Sequence, residues 1–79
     1  MSDEADRGAE FIDFVARALV EESNDLAVEL GDDGRTLELE TSDDDRGRVI
    51  GRQGRVAKAL RVLLGRIPGC GNLRLDIVD

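Results

Sequence analysis

Apolar residues along this 79-residue chain recur at two spacings, and each spacing predicts a different element. Between Ala9 and Glu22, the residues Phe11, Phe14, Val15, Ala18 and Leu19 recur at helical intervals. That predicts a first helix with those side chains on its core face. Asp3, Glu4 and Asp6 precede it, where carboxylates suit the positive end of a helix dipole. Residues 1–8 read as a flexible acidic N-terminus, and 9–79 as one domain. Ser23-Asn24-Asp25 has no helical pattern and ends the helix. Leu26, Val28 and Leu30 then alternate with Ala27 and Glu29, as in a half-buried strand. After the turn Gly31-Asp32-Asp33-Gly34, Leu37 and Leu39 alternate with Thr36, Glu38 and Glu40. The pair predicts a hairpin with a four-residue loop.

Thr41, Ser42 and Asp43-Asp44-Asp45 supply a cap and first-turn carboxylates for a short helix over about 44–50. Gly51-Arg52-Gln53-Gly54 interrupts it, and a longer helix runs from Gly54 or Arg55 to about Arg66. Val56, Leu60, Leu63, Leu64 and Ile67 form its predicted apolar stripe. Pro68-Gly69-Cys70-Gly71 breaks the chain again, and Leu73, Leu75 and Ile77 alternate as a last strand. The predicted order is αββααβ. Three strands with one apolar face, covered on that face by three helices, make a two-layer α+β domain.

Charge sharpens this picture. The formal net charge is −7, which by itself argues against a polyanionic partner. Yet Arg46, Arg48, Arg52, Arg55, Lys58, Arg61 and Arg66 form a window without a single acidic residue. The other four basic residues stand against all 18 acidic ones, a net of −14. Local potential, not net charge, steers a charged ligand, so one positive face on a negative protein is expected.

Composition excludes much chemistry. There is no histidine, and Cys70 is the single cysteine. A Cys/His zinc site, a histidine-assisted nucleophile and an intrachain disulfide are all excluded. Cys70 reads as a small buried or half-buried turn residue. A phosphate loop of the G-x-x-x-x-G-K-[ST] kind is missing, and so small a domain encloses little room for catalysis. No catalytic residue, metal or cofactor is expected. Asp43-Asp44-Asp45 reads as a cap and a guard against loose phosphate binding, since three adjacent carboxylates cannot all face one ion. No apolar run nears the length of a membrane span, and no secretory leader is visible. A cytoplasmic protein is the expectation.

The informative stretch is Val49-Ile50-Gly51-Arg52-Gln53-Gly54-Arg55-Val56-Ala57-Lys58-Ala59-Leu60. A G-x-x-G spacing alone equally describes a tight turn between packed helices. This one lies between two helices, carries arginine, and sits inside the acid-free window. Glycines let a backbone approach a ligand, a helix start presents unpaired N–H groups to anions, and arginine forks match phosphate oxygens.

Those residues resemble the GXXG loop and following helix of a KH domain, and the chain as a whole resembles the small bacterial single-KH proteins of the KhpA (YlqC-like) family. The resemblance implies a type II KH-like domain. It further implies that single-stranded RNA lies in a groove beside the loop, which clamps the backbone of about four nucleotides. Gly51, Arg52, Gln53 and Gly54 would be the clamp, and Val49, Ile50 and Val56 an apolar floor. Arg48, Arg55 and Lys58, with Arg46 and Arg61, would be flanking phosphate contacts. Arg35 and Arg74 read better as solvated strand residues. Stacking on aromatics is not expected, because Phe11 and Phe14 are assigned to the core.

One short groove should bind weakly and in a salt-sensitive way. The resemblance implies a role as an RNA chaperone or post-transcriptional regulator, with self-association as a homodimer and pairing with a larger KH-domain partner. The alternative is a protein–protein interaction module that keeps the fold and has little intrinsic RNA binding, motivated by the acidic remainder of the surface.

Overall fold

The computed structural model describes residues 3–78. Its elements are α1 (Asp3–Leu19), β1 (Ala27–Leu30), β2 (Thr36–Glu40), α2 (Asp43–Ile50), α3 (Arg55–Arg66) and β3 (Arg74–Ile77), with 3-10 turns at Ser23–Asp25 and Arg52–Gly54. The order is the αββααβ predicted from the pattern. The sheet runs β1-β2-β3, with β1 antiparallel and β3 parallel to the central β2. A parallel neighbour needs a crossover, and α2 and α3 supply it.

Register decides the faces. Leu30 pairs with Leu37 and Leu37 with Leu75, while Val28 pairs with Leu39 and Leu39 with Ile77. Two apolar rows thus cross the sheet toward the helices. Leu37, Leu39, Leu60, Leu64, Leu75, Ile12, Val49 and Cys70 form the core between the layers. The opposite face carries Glu29, Glu38 and Asp76 in one cross-strand row.

α1 differs from the sequence reading in two ways. It starts at Asp3, so residues 3–8 are its first turns and not a flexible tail; Met1 and Ser2 lie outside the described residues. The anchors are remote in sequence. Arg7 Nη2 donates to the Pro68 carbonyl at 2.7 Å, and the Cys70 thiol donates to the Glu4 carbonyl at 3.2 Å. Cys70 is buried in its turn, as expected.

The core face is also rotated. Ala5, Gly8, Ile12 and Ala16 are buried, whereas Phe14 is 77% exposed and Leu19 37% exposed; Phe11 and Val15 are half-buried on the shoulder. Close packing selects the small residues. A methyl at Gly8 would stand 2.7 Å from Leu73 Cδ1 and 3.1 Å from Leu64 Cδ1, so α1 can approach α3 only through that line. α3 shows the same effect on a smaller scale. Ala57, Leu60 and Leu64 are buried, and Leu63 is half out in solvent.

Candidate nucleic-acid interface

α2 begins with a complete cap. The Ser42 hydroxyl accepts from the Asp45 N–H at 3.2 Å. Asp45 turns inward and is fully buried, accepting the Glu21 and Glu22 backbone N–H groups at 3.1 and 2.9 Å. Those two bonds, the Glu21 one foremost, hold its carboxyl below the usual carboxylate range against the opposing effect of burial. Asp43 turns the other way, to Arg46 Nη2 at 2.6 Å. The Asp43 and Asp45 carboxylates diverge.

The same acids consume two predicted RNA contacts. Arg48 is held by Asp45 and Glu21, each at 2.9 Å, so it braces α2 against the end of α1. Arg46 pairs with Asp43 and donates to the Val78 carbonyl. Val49 is fully buried, because the inward side of α2 faces the sheet, and it cannot form a floor that touches a ligand. Ile50 and Val56 are half-buried and remain at the surface beside the loop.

The Gly51–Gly54 loop departs from ordinary backbone. Gly51 has φ 79° and ψ 169°, a region essentially restricted to glycine. A methyl there would lie 2.5 Å from Val56 Cγ2 and 2.8 Å from the Val56 backbone nitrogen. Gln53 (φ 57°) and Gly54 (φ 75°) are both left-handed. Gln53 is the single non-glycine residue with positive φ among the described residues, and Arg52 and Gln53 are both exposed at the tip.

This backbone delivers the chain to α3 without a side-chain cap, since Gly54 occupies the capping position. The first turn of α3 holds no acidic residue. Lys58 and Arg61 follow at i+4 and i+7 from Gly54, on one face of the helix. The side chains of Arg52, Lys58, Arg66 and Arg74 have no hydrogen-bond or ion-pair partner among the described residues, and Arg55 makes only a 3.4 Å contact with Gln53. Arg52, Arg55, Lys58 and Arg66 thus place unneutralised charge on the loop and along α3, with Arg74 beside it.

A groove of about 330 Å³ continues this face, lined by Arg61, Leu64, Leu73, Arg74 and Leu75. Arg74 is an exposed residue of β3, as the sequence reading has it, and β3 brings it beside α3. The signal was the order helix, turn, strand, which returns the chain along its own helix. A second groove of about 450 Å³ lies between α1 and β1. It exposes Glu10, Asp13 and Glu29, and its Arg17 is already paired with Asp13. Electrostatics therefore favours the first groove for an anionic chain.

Comparison with known proteins agrees with this geometry. The model of the KhpA/KhpB KH domain matches residues 9–70. The chain belongs to that family. It is 44% identical over 70 residues to the RNA-binding protein KhpA of Mycobacterium leprae, covering 86% of each chain. It is 44% identical over 72 residues to that of Halalkalibacterium halodurans, covering 86% of this chain and 95% of the relative. For the Borreliella burgdorferi protein of the same name the identity is 38% over 74 residues, covering 89% and 90%. No solved structure matches. The family is a non-enzymatic one. Among the described residues no helix is long and apolar enough to cross a membrane.

Proposed function

We propose that this KH domain binds single-stranded RNA, with Gly51, Arg52, Gln53 and Gly54 holding the backbone and Arg55 and Lys58 flanking it. The observation that carries this reading is the uncapped start of α3 beneath an exposed, unpaired Arg52. A helix start without a side-chain cap and a free guanidinium are complementary to an anion, and phosphate is one that both recognise. The relatives are named RNA-binding proteins, which supports the choice of ligand. An RNA chaperone or regulatory role in the cytoplasm is part of the same proposal.

The test is fluorescence anisotropy of labelled single-stranded RNA over a salt series. About three phosphate contacts give a slope of log affinity on log salt of about −2. The double variant Arg52→Asp/Gln53→Asp should lose about 100-fold or more in affinity. Its fold should survive, because aspartate tolerates the left-handed backbone of position 53. Binding unchanged by the double variant would falsify the clamp.

A second copy of the chain, and a larger KH-domain protein, are proposed partners. Phe14, Val62 and Leu63 are large apolar side chains left exposed on α1 and α3, and burying them would offset weak binding at a single RNA site through avidity. Light scattering should report a dimer that Leu63→Ser converts to monomer. A wild-type monomer at high micromolar concentration removes the self-association. An interaction module without RNA affinity would instead show a dimer and no salt-sensitive RNA binding.

A further inference from the structure

β3 pairs only with β2, so one of its edges is open. The Arg74 N–H donates to the Arg35 carbonyl at 2.8 Å, and the Val78 N–H to the Leu39 carbonyl at 2.9 Å. In a strand, residues between such positions turn their peptide groups to the other side. Leu75 therefore directs its N–H and C=O toward the open edge. Its carbonyl accepts from Arg61 Nε at 3.1 Å, across the groove between α3 and β3.

That bond uses one of the five guanidinium donors. Nη1 and Nη2 of Arg61 have no partner among the described residues. The result is a planar fork fixed at its base and unspent at its tip. It stands over a groove of about 330 Å³ whose apolar lining is Leu64, Leu73 and Leu75. Arg74 supplies the other charge on the rim, and the lining contains no side-chain acceptor. Arg61 lies seven residues along α3 from Gly54, or about 10 Å. That distance falls within the reach of the roughly four nucleotides a GXXG loop clamps.

We infer that this groove takes one nucleobase and that Arg61 selects a base with two adjacent hydrogen-bond acceptors, guanine (O6 and N7) or cytosine (N3 and O2). The inference rests on the RNA-binding reading and adds a specificity-determining residue to it. Leu73, partly exposed over the buried Leu64 and Leu75, receives the flat face of the base, and the fork meets its edge. On their Watson–Crick and Hoogsteen edges adenine and uracil place a donor beside each acceptor, so one arginine N–H would face another N–H. A buried donor without an acceptor is costly, which is what turns the fork into a discriminator. Arg61 was expected from sequence to be a flanking phosphate contact. Its Nε anchor turns the fork over the apolar groove, and Arg74 on the rim is better placed for phosphate.

The experiment is anisotropy with eight-nucleotide RNAs, either all adenine, all uracil, or carrying one central guanine or cytosine in those backgrounds. Wild type should bind the guanine or the cytosine series roughly tenfold more tightly than the parents, the size a bidentate arginine–base pair supplies. The two series, with 7-deazaguanine in place of guanine, tell which edge is read. Arg61→Lys keeps the charge and loses the fork. It should reduce the preference to within about twofold, with affinity for the adenine parent held within about threefold. Equal, salt-sensitive binding of all RNAs by wild type overturns the inference and leaves the clamp standing. A preference that survives Arg61→Lys removes Arg61 from the reading role. Failure of every RNA to bind overturns the RNA reading itself, and the inference with it.

Discussion

Two helices begin within a dozen residues of each other, and they meet the same physical demand in opposite ways. Each helix start leaves N–H groups without intrahelical acceptors. α2 satisfies them from within, through the Ser42 hydroxyl and carbonyl, and its first turn carries three carboxylates. α3 starts from a glycine, with no side-chain cap and no acid in its first turn. Cations divide along the same line. Arg46 and Arg48 are consumed by the acids of α2, whereas Arg52, Lys58 and Arg66 beside and along α3 remain without partners among the described residues. A self-satisfied helix end serves the fold. One without a side-chain cap, placed beside free cations, is a site in waiting for an anion. The acid-free window of the sequence is thus two regions, of which only the second is available to a ligand.

The sharpest way to break the contrast is at the hinge between the two helices. Gly51→Ala puts a methyl against the Val56 backbone nitrogen, which no side-chain rotation relieves, and asks alanine to adopt φ 79° with ψ 169°. The loop must open and α3 must shift. We expect RNA affinity to fall about 30-fold and the Tm to drop by about 5–10 °C. Gly54→Ala is the internal control. A methyl there meets nothing within 4 Å, so only the positive φ is strained and the losses should be smaller. Equal effects at the two glycines would mean that φ alone, and not the close approach at Gly51, shapes the clamp.

Legibility followed the range of the interactions. The element order, the hairpin, the α2 cap and the loop rest on neighbours in sequence, and the pattern carried all of them. The core face of α1 did not, because it is chosen by contact with α3 and with the turn at 67–71. Phe11 and Phe14 are the largest apolar residues of that helix, yet Ala5, Gly8, Ile12 and Ala16 are buried there, and at Gly8 the lack of a side chain lets α1 close on Leu64 and Leu73. In the site, the glycines and Arg52 were readable as local chemistry. The capture of Arg48 by Glu21, 27 residues away, was not. Nor was the arrival of Arg74 beside Arg61, which depends on the return of β3 along α3.

A variant with a smaller effect on RNA binding tests the other half of the contrast, the claim that the acids of α2 serve structure. Asp45→Asn keeps the shape but replaces one carboxylate oxygen by an NH₂ that faces a backbone N–H. The Tm at pH 7 should fall by about 10 °C, as is usual for breaking a buried hydrogen-bonded network. RNA affinity measured well below that Tm should stay within about twofold. The acid limb of the stability curve gives the same information with its sign. The Asp45 carboxyl is held below its ordinary 3.8, first by the Glu21 N–H and then by the Glu22 N–H. In the hairpin turn Asp33 is lowered to about 2, first by the Arg35 N–H and then by the Thr36 hydroxyl. A carboxyl whose folded pKa is depressed contributes stability that is present above its unfolded pKa and lost as pH falls through the folded one. Stability should therefore be flat from pH 7 to about 5 and decline from about 4 toward 2. Asp45→Asn and Asp33→Asn should each flatten that decline. A variant at position 45 that melts with wild type at pH 7, or that loses RNA while folded, would place the α2 acids in the binding site and dissolve the distinction between the two helix starts.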